Sequence, residues 1–185
     1  MAFVDESIFV DGARGKVNKA VYRRWKGHTV LSRVPARAGE LKPNQKAQCS
    51  KFKEAVAYAV EALKDTDLRE QYLQKGKNKQ LSAYNMAIAD FLTPPVIDAI
   101  NTENYKGAIG NKISITVTDN FKVTSVLVKI QKPDDTLIES GNAVLKLQQW
   151  VYTTTVANPD LTGCKIVVEA KDTPAHTSEK EVLLS

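Results

Sequence analysis

Residues 113–118 read Ile-Ser-Ile-Thr-Val-Thr, so Ile113, Ile115 and Val117 alternate with Ser114, Thr116 and Thr118. Alternate side chains of a strand point to opposite faces, and this period of two predicts a strand with one apolar face. The same pattern returns at Val126, Val128 and Ile130, at Trp150, Tyr152 and Thr154, at Ile166, Val168 and Ala170, and at Val182 and Leu184. A first strand at Val96 to Ile100 and a short one at Leu137-Ile138 bring the expected number to about seven. Turn-forming groups separate them: Gly110-Asn111, Asp119-Asn120, Pro133-Asp134-Asp135, Ser140-Gly141-Asn142, Asn158-Pro159-Asp160 and Asp172-Thr173-Pro174. About seven short strands in about ninety residues predict an antiparallel, immunoglobulin-like β-sandwich from about Pro95 to Ser185. The Cys…Trp…Cys spacing of antibody domains is missing, so the expectation concerns architecture alone.

Upstream of Thr93-Pro94-Pro95 the period lengthens. Phe52, Ala55, Val56, Ala59 and Leu63 recur at spacings of three and four, the signature of an amphipathic helix, and Pro43 suits its first turn. Asp65 or Thr66 is placed to cap a second helix through Leu73, stopped by Gly76. Ser82 is placed to cap a third, with Tyr84, Ile88 and Phe91 or Leu92 on one side. Before the helices, Val17 to Trp25 and Thr29 to Val34 flank Lys26-Gly27-His28 and predict a β-hairpin. The expected class is α+β, with a hairpin-plus-three-helix domain over residues 1–93 and the all-β sandwich over 94–185.

The chain has 185 residues, 43% apolar and 25% charged, with a net charge of +5, an ordinary globular composition. The charge is uneven. Residues 1–50 hold ten Lys/Arg against four Asp/Glu, and residues 94–185 hold nine against eleven. The opening MAFVDESIFVDGARGK has no basic stretch ahead of an apolar one, which predicts no secretory leader, and no apolar run is long enough to span a bilayer. A cytoplasmic protein or a part of a virion or tail-like particle is therefore expected. Cys49 and Cys164 fall in different expected domains and read as reduced thiols.

The run Gly12-x-x-Gly15-Lys16-Val17, followed by Val21, Trp25-Lys26-Gly27, Arg33, Pro35, Gln45, Gln48, Lys51-Phe52 and Ser82-Ala83-Tyr84-Asn85 with Ala87, resembles an uncharacterised bacterial domain-of-unknown-function family. The resemblance covers roughly the first half and departs at Lys42 and Cys49. It implies a small non-enzymatic domain. The second half resembles the Ig-like repeats of bacterial and phage surface or structural proteins through Trp150-x-Tyr152-Thr153 and Ala170-x-Asp172.

Chemistry-bearing motifs are few. Gly12-x-x-Gly15-Lys16 is too short for a phosphate loop and continues into Val17 where a Ser or Thr would reach magnesium. His28 and His176 lie in different expected domains without a nucleophile elbow, so no catalytic residues are assigned. Tyr84-Asn85 reads as a seal on the helical core. Asp119, Asp160 and Asp172 sit at strand ends but lack a calcium-loop spacing, and no Cys/His set offers a metal site or calls for a cofactor.

The most suggestive constellation is Lys16, Lys19, Arg23, Arg24, Lys26, Arg33 and Arg37 interleaved with Tyr22 and Trp25. Clustered cations attract acidic surfaces, and cations beside aromatic faces suit nucleic acid. The leading expectation is a non-enzymatic structural or interaction protein of a bacterial or phage-like assembly that docks a protein partner, acidic or within a larger particle. The alternative is a cytosolic nucleic-acid-binding protein working through the basic hairpin.

Overall fold

The computed structural model describes residues 2–3, 13–25, 27–34, 39–40 and 42–184. Two compact units divide at Pro43/Asn44, whereas the sequence places its division at the diproline. Among the described residues the class is α+β, with three helices and three antiparallel four-stranded sheets.

In the first unit, β1 (Ala2–Phe3), β2 (Gly15–Val17), β3 (Ala20–Trp25) and β4 (His28–Arg33) form one sheet in the order β1-β4-β3-β2. The expected hairpin is its β3–β4 pair, closed where Trp25 faces His28 across a turn containing Gly27 at φ +89°. Val17 does not continue into that hairpin. The chain reverses at Asn18, whose φ of +53° lies in the left-handed region that Asn tolerates, and β2 becomes a further strand paired Val17 to Ala20. Gly12 and Pro35, which carry part of the family resemblance, lie outside the described residues.

The second unit begins with α1 (Pro43–Ala62), α2 (Thr66–Lys77) and α3 (Ala83–Leu92). Pro43 stands at the first turn of α1, as its lost N–H allows. Asp65 caps α2, its Oδ1 accepting from Asp67 N at 2.9 Å and Leu68 N at 3.1 Å, and Ser82 Oγ caps α3 by accepting from Asn85 N at 3.2 Å. The helical core holds Ala55, Ala59, Tyr72, Met86, Ala87 and Ile88, with Val56 and Leu63 packed beside it. Phe52 and Tyr84 depart from expectation, because both are exposed, as is Asn85; the small Ala55 and Ala59 bring α1 close instead.

Gly76 also corrects the sequence reading, since it is buried inside α2 and does not stop it. A Cβ at that position would come 2.6 Å from the Leu81 carbonyl oxygen, and the Gly76 carbonyl accepts from both Lys79 N and Leu81 N at 2.9 Å. Glycine is there so that the chain after α2 can fold back onto it.

Beyond the diproline come β5 (Val96–Asn101), β6 (Lys112–Thr118), β7 (Val123–Gln131), β8 (Leu137–Asn142), β9 (Val144–Lys146), β10 (Gln149–Thr153), β11 (Lys165–Asp172) and β12 (Thr177–Leu183). All seven expected strands are present. They form two sheets, in the orders β5-β6-β10-β9 and β12-β11-β7-β8. Ile97, Ile113, Ile115 and Tyr152 of the first share one core with Val126, Val128, Ile130, Ile166, Val168 and Ala170 of the second. The register places Ile166 opposite Ile130, Val168 opposite Val128 and Ala170 opposite Val126, so the alternating faces meet residue for residue. Each fully buried Ile or Val of this set contributes about 1.5–3 kcal/mol.

β9 was missed because Ser140-Gly141-Asn142 reads as a turn. In the fold those residues end β8, and the chain crosses to the other sheet at Ala143, whose N–H donates to Val126 O at 2.8 Å. Gly141 serves close packing: a Cβ there would lie 2.8 Å from Tyr152 Cε2.

Helix propensity alone favours alanine over glycine by about 1 kcal/mol. Gly76→Ala should nevertheless destabilise the protein, by about 1–3 kcal/mol, because the added methyl meets backbone that cannot yield. A urea midpoint at or above the wild-type value would contradict this packing.

Candidate functional site

The register of the first sheet sorts the predicted basic constellation onto two faces. Residues directly opposite in an antiparallel pair share a face. Tyr22 faces Leu31, Ala20 faces Arg33 and Val17 faces Ala20, so Val17, Ala20, Tyr22, Arg24, Leu31 and Arg33 lie on one side. Lys16 faces Val21, Arg23 faces Val30 and Trp25 faces His28, which puts Lys16, Arg23 and Trp25 on the other. Lys19 occupies the β2–β3 turn. Lys26 and Arg37 lie outside the described residues. The set is therefore divided, although each face retains cations.

The first face carries a shallow depression of about 630 Å³ lined by Val17, Lys19, Ala20, Leu31 and Arg33, with Asn18 and Ser32. Its lining combines the apolar Val17, Ala20 and Leu31, Val17 being 62% exposed, with the exposed cations Lys19 and Arg33. On the second face Trp25 is half exposed, and Lys16 and Arg23 are exposed.

Sequence reasoning did not find a fully buried carboxyl that lies in the second unit. Asp90 of α3 is fully buried. Tyr72 of α2 donates to its Oδ2 at 2.6 Å, and Tyr58 of α1 lies 2.8 Å from the Tyr72 hydroxyl. Phe121, after β6, stacks on Tyr72 with ring centroids 4.1 Å apart. His176, before β12, meets the Phe91 ring edge-on at 4.8 Å, and its Nδ1 is 3.0 Å from Oδ2 of the buried Asp172.

Burial pushes the Asp90 carboxyl up to about 7; the Tyr72 hydrogen bond opposes the rise, while the carboxylates of Asp119 and Asp172 add to it and His176 lowers it. Burial likewise raises the phenols of Tyr72 and Tyr58. Asp90 Oδ1 and Asp119 Oδ1 are buried acceptors with no hydrogen-bond donor among the described residues. Neither the sheet depression nor the 280 Å³ hollow around Asn158 and Cys164 has Asp90 in its walls. A signal for it exists in the sequence. Met86, Ala87 and Asp90 are spaced at three and four, which sets one carboxyl on the apolar face of α3.

The aspartates weighed as calcium ligands each accept a turn N–H: Asp119 from Phe121, Asp160 from Thr162 and Asp172 from His176. Asp134 does the same for Thr136, as a turn between strands requires. Among the described residues no group of three or more His, Cys, Asp or Glu could hold a metal ion. Cys49 is exposed and Cys164 buried, and both are free thiols.

No protein-family model matches the chain, and no curated protein matches it at a significant level. Among solved structures, a conjugative transposon lipoprotein from Bacteroides eggerthii is similar at 12% identity, covering 48% of this chain and 92% of that one, with a TM-score of 0.27. A likeness of that size carries neither fold nor function. No helix among the described residues is long and apolar enough to cross a membrane.

Tyr72→Phe keeps the ring against Phe121 and removes the one side-chain donor to Asp90 among the described residues. The expected loss is about 1–3 kcal/mol, larger at pH 8 than at pH 5 because the ionised carboxylate depends on that donor most. Urea titrations at both pH values measure it; equal losses would count against the assigned role of the hydroxyl.

Proposed function

We propose that this is a non-enzymatic interaction protein, a component or accessory of a bacterial or phage-like assembly, whose first sheet docks on an acidic protein surface. The observation that carries this reading is the depression lined by Val17, Ala20 and Leu31 together with Lys19 and Arg33, on the sheet face that also carries Arg24. Apolar side chains with cations among them suit a protein-binding patch, in which burial supplies affinity and charge supplies steering.

In the same proposal, residues 96–183 form an immunoglobulin-like β-sandwich used as a binding or decorating module. Lettering the eight strands A, B, C, C′, D, E, F and G gives one sheet A-B-E-D and another G-F-C-C′, which supports that reading because the constant-type arrangement is ABED against CFG. The shared apolar core of the two sheets supports it as well.

A second reading, nucleic-acid binding, is favoured by the opposite face, where Lys16, Arg23 and Trp25 stand together. Cations with an exposed aromatic ring suit single strands. The two readings use different faces.

Fluorescence anisotropy of the full chain with labelled polyglutamate and with a labelled random oligonucleotide separates them. The expected result is polyglutamate binding weakened about tenfold or more by Arg24→Glu with Arg33→Glu, and much less by Lys16→Glu with Arg23→Glu. Oligonucleotide binding that falls steeply with salt and is lost with the second pair would replace the first reading by the second. Absence of binding to either probe would remove both.

A further inference from the structure

The Asp90 node joins the helices to the β-layers. Phe121 and Asp119 belong to the β6–β7 connection, and Asp172 and His176 to the end of β11 and its turn into β12. These two connections are tied together by Thr173 Oγ1, which donates to Lys122 O at 3.4 Å, and the strand ends beside them by Thr124 Oγ1, whose one proton is shared between the carbonyls of Lys171 and Asp172 at 3.0 Å each. The helices meet them through the Tyr72–Phe121 stack, the Phe91–His176 edge contact, and the bonds from Lys79 Nζ to Asn120 Oδ1 at 3.2 Å and from Asn120 Nδ2 to Ala89 O at 3.5 Å. Asp90 is the buried acid at the centre of this seam.

We infer that the seam is a pH-operated latch: with Asp90 protonated, α1–α3 are held on the β6–β7 and β11–β12 connections, and loss of that proton to solvent loosens the helices while the β core stays folded. Every element packed there bears on the carboxyl. Tyr58 comes from α1, Tyr72 from α2, Asp119 from the β6–β7 connection, Asp172 from β11 and His176 from the β11–β12 turn. Two of these are carboxylates, and the imidazole that offsets them is already engaged with Asp172. An ionised Asp90 adds a negative charge beside Asp119 and Asp172, with its buried Oδ1 lacking any donor among the described residues. The Tyr72 hydroxyl satisfies the other oxygen only.

The direction follows from linkage. In the folded seam Asp90 keeps its proton up to about pH 7, whereas an unfolded aspartate gives it up near pH 4. The seam therefore loses stability as the pH rises between those values, and the loss is complete above the upper one. The β core has its own buried carboxyl, Glu139 opposite Ile130, but Glu139 Oε2 accepts from Thr155 N and Thr155 Oγ1 at 2.9 Å and from Val156 N at 3.0 Å, donors of a kind that Asp90 lacks.

Hydrogen exchange of the full chain tests the latch. After correction for intrinsic rates, protection of peptides from residues 66–92 should fall about tenfold or more from pH 5.5 to 8.5, while peptides from 123–131 and 165–172 change little. Asp90→Asn, uncharged and of the same shape, should abolish that dependence. Protection of 66–92 that does not vary with pH, or varies equally in Asp90→Asn, would overturn the proposal. Should that variant fail to fold, the carboxyl-carbon NMR titration of the unaltered chain decides: a midpoint near 7 for Asp90 supports the latch and one near 4 refutes it.

Discussion

The buried cross-strand pairs Ile130–Ile166, Val128–Val168 and Val126–Ala170, set against Ile113 and Ile115, are the constraint on which the rest of residues 44–184 depends. A slip of one residue in β7 or β11 would turn each apolar set to solvent, so the period of two in the sequence and the register in the fold enforce each other. With β7 and β11 fixed, the connections at their ends are fixed too, and they present Asp119, Phe121, Asp172 and His176 together. The helices are positioned by what they find there.

This arrangement explains why one polar group can matter to a large apolar body. Tyr72 is both the stacking partner of Phe121 and the donor to Asp90, so packing and electrostatics between helices and sheets run through one side chain. The cost of burying Asp90 is tolerable while the carboxyl is neutral and grows as it ionises. In the first unit the physics differs: cations of the same short sheet are divided by register, and the face that keeps Arg24 and Arg33 also keeps the exposed Val17.

Much of the β architecture was legible because alternation is a local pattern: Ile113 to Thr118 and Ile166 to Ala170 show their buried faces without any tertiary knowledge. The helix starts were equally legible at Asp65 and Ser82, whose side chains bond nearby N–H groups. What was not legible came from contacts distant in sequence. Gly76 reads as a helix stop and is a close-approach site to Leu81, and Gly141 reads as a turn and is a seat for the Tyr152 ring. The basic constellation reads as one patch because sequence adjacency hides the side on which each residue falls. Asp90 was visible as an acid on an apolar face, but its partners Tyr72, Tyr58 and Asp172 lie 18, 32 and 82 residues away along the chain, at distances that no spacing connects.

The central claim is that α1–α3 and the two β-layers after the diproline form one cooperative body while the seam is protonated. Trp25 and Trp150 are the two tryptophans of the chain, so Trp25→Phe leaves Trp150, beside the shared β core, as the sole indole reporter. Urea unfolding of that variant at pH 6, followed by Trp150 fluorescence and by helical circular dichroism at about 222 nm, should give coincident transitions. A helical transition at lower urea than that of Trp150 would place the boundary at Pro94-Pro95 and contradict the claim.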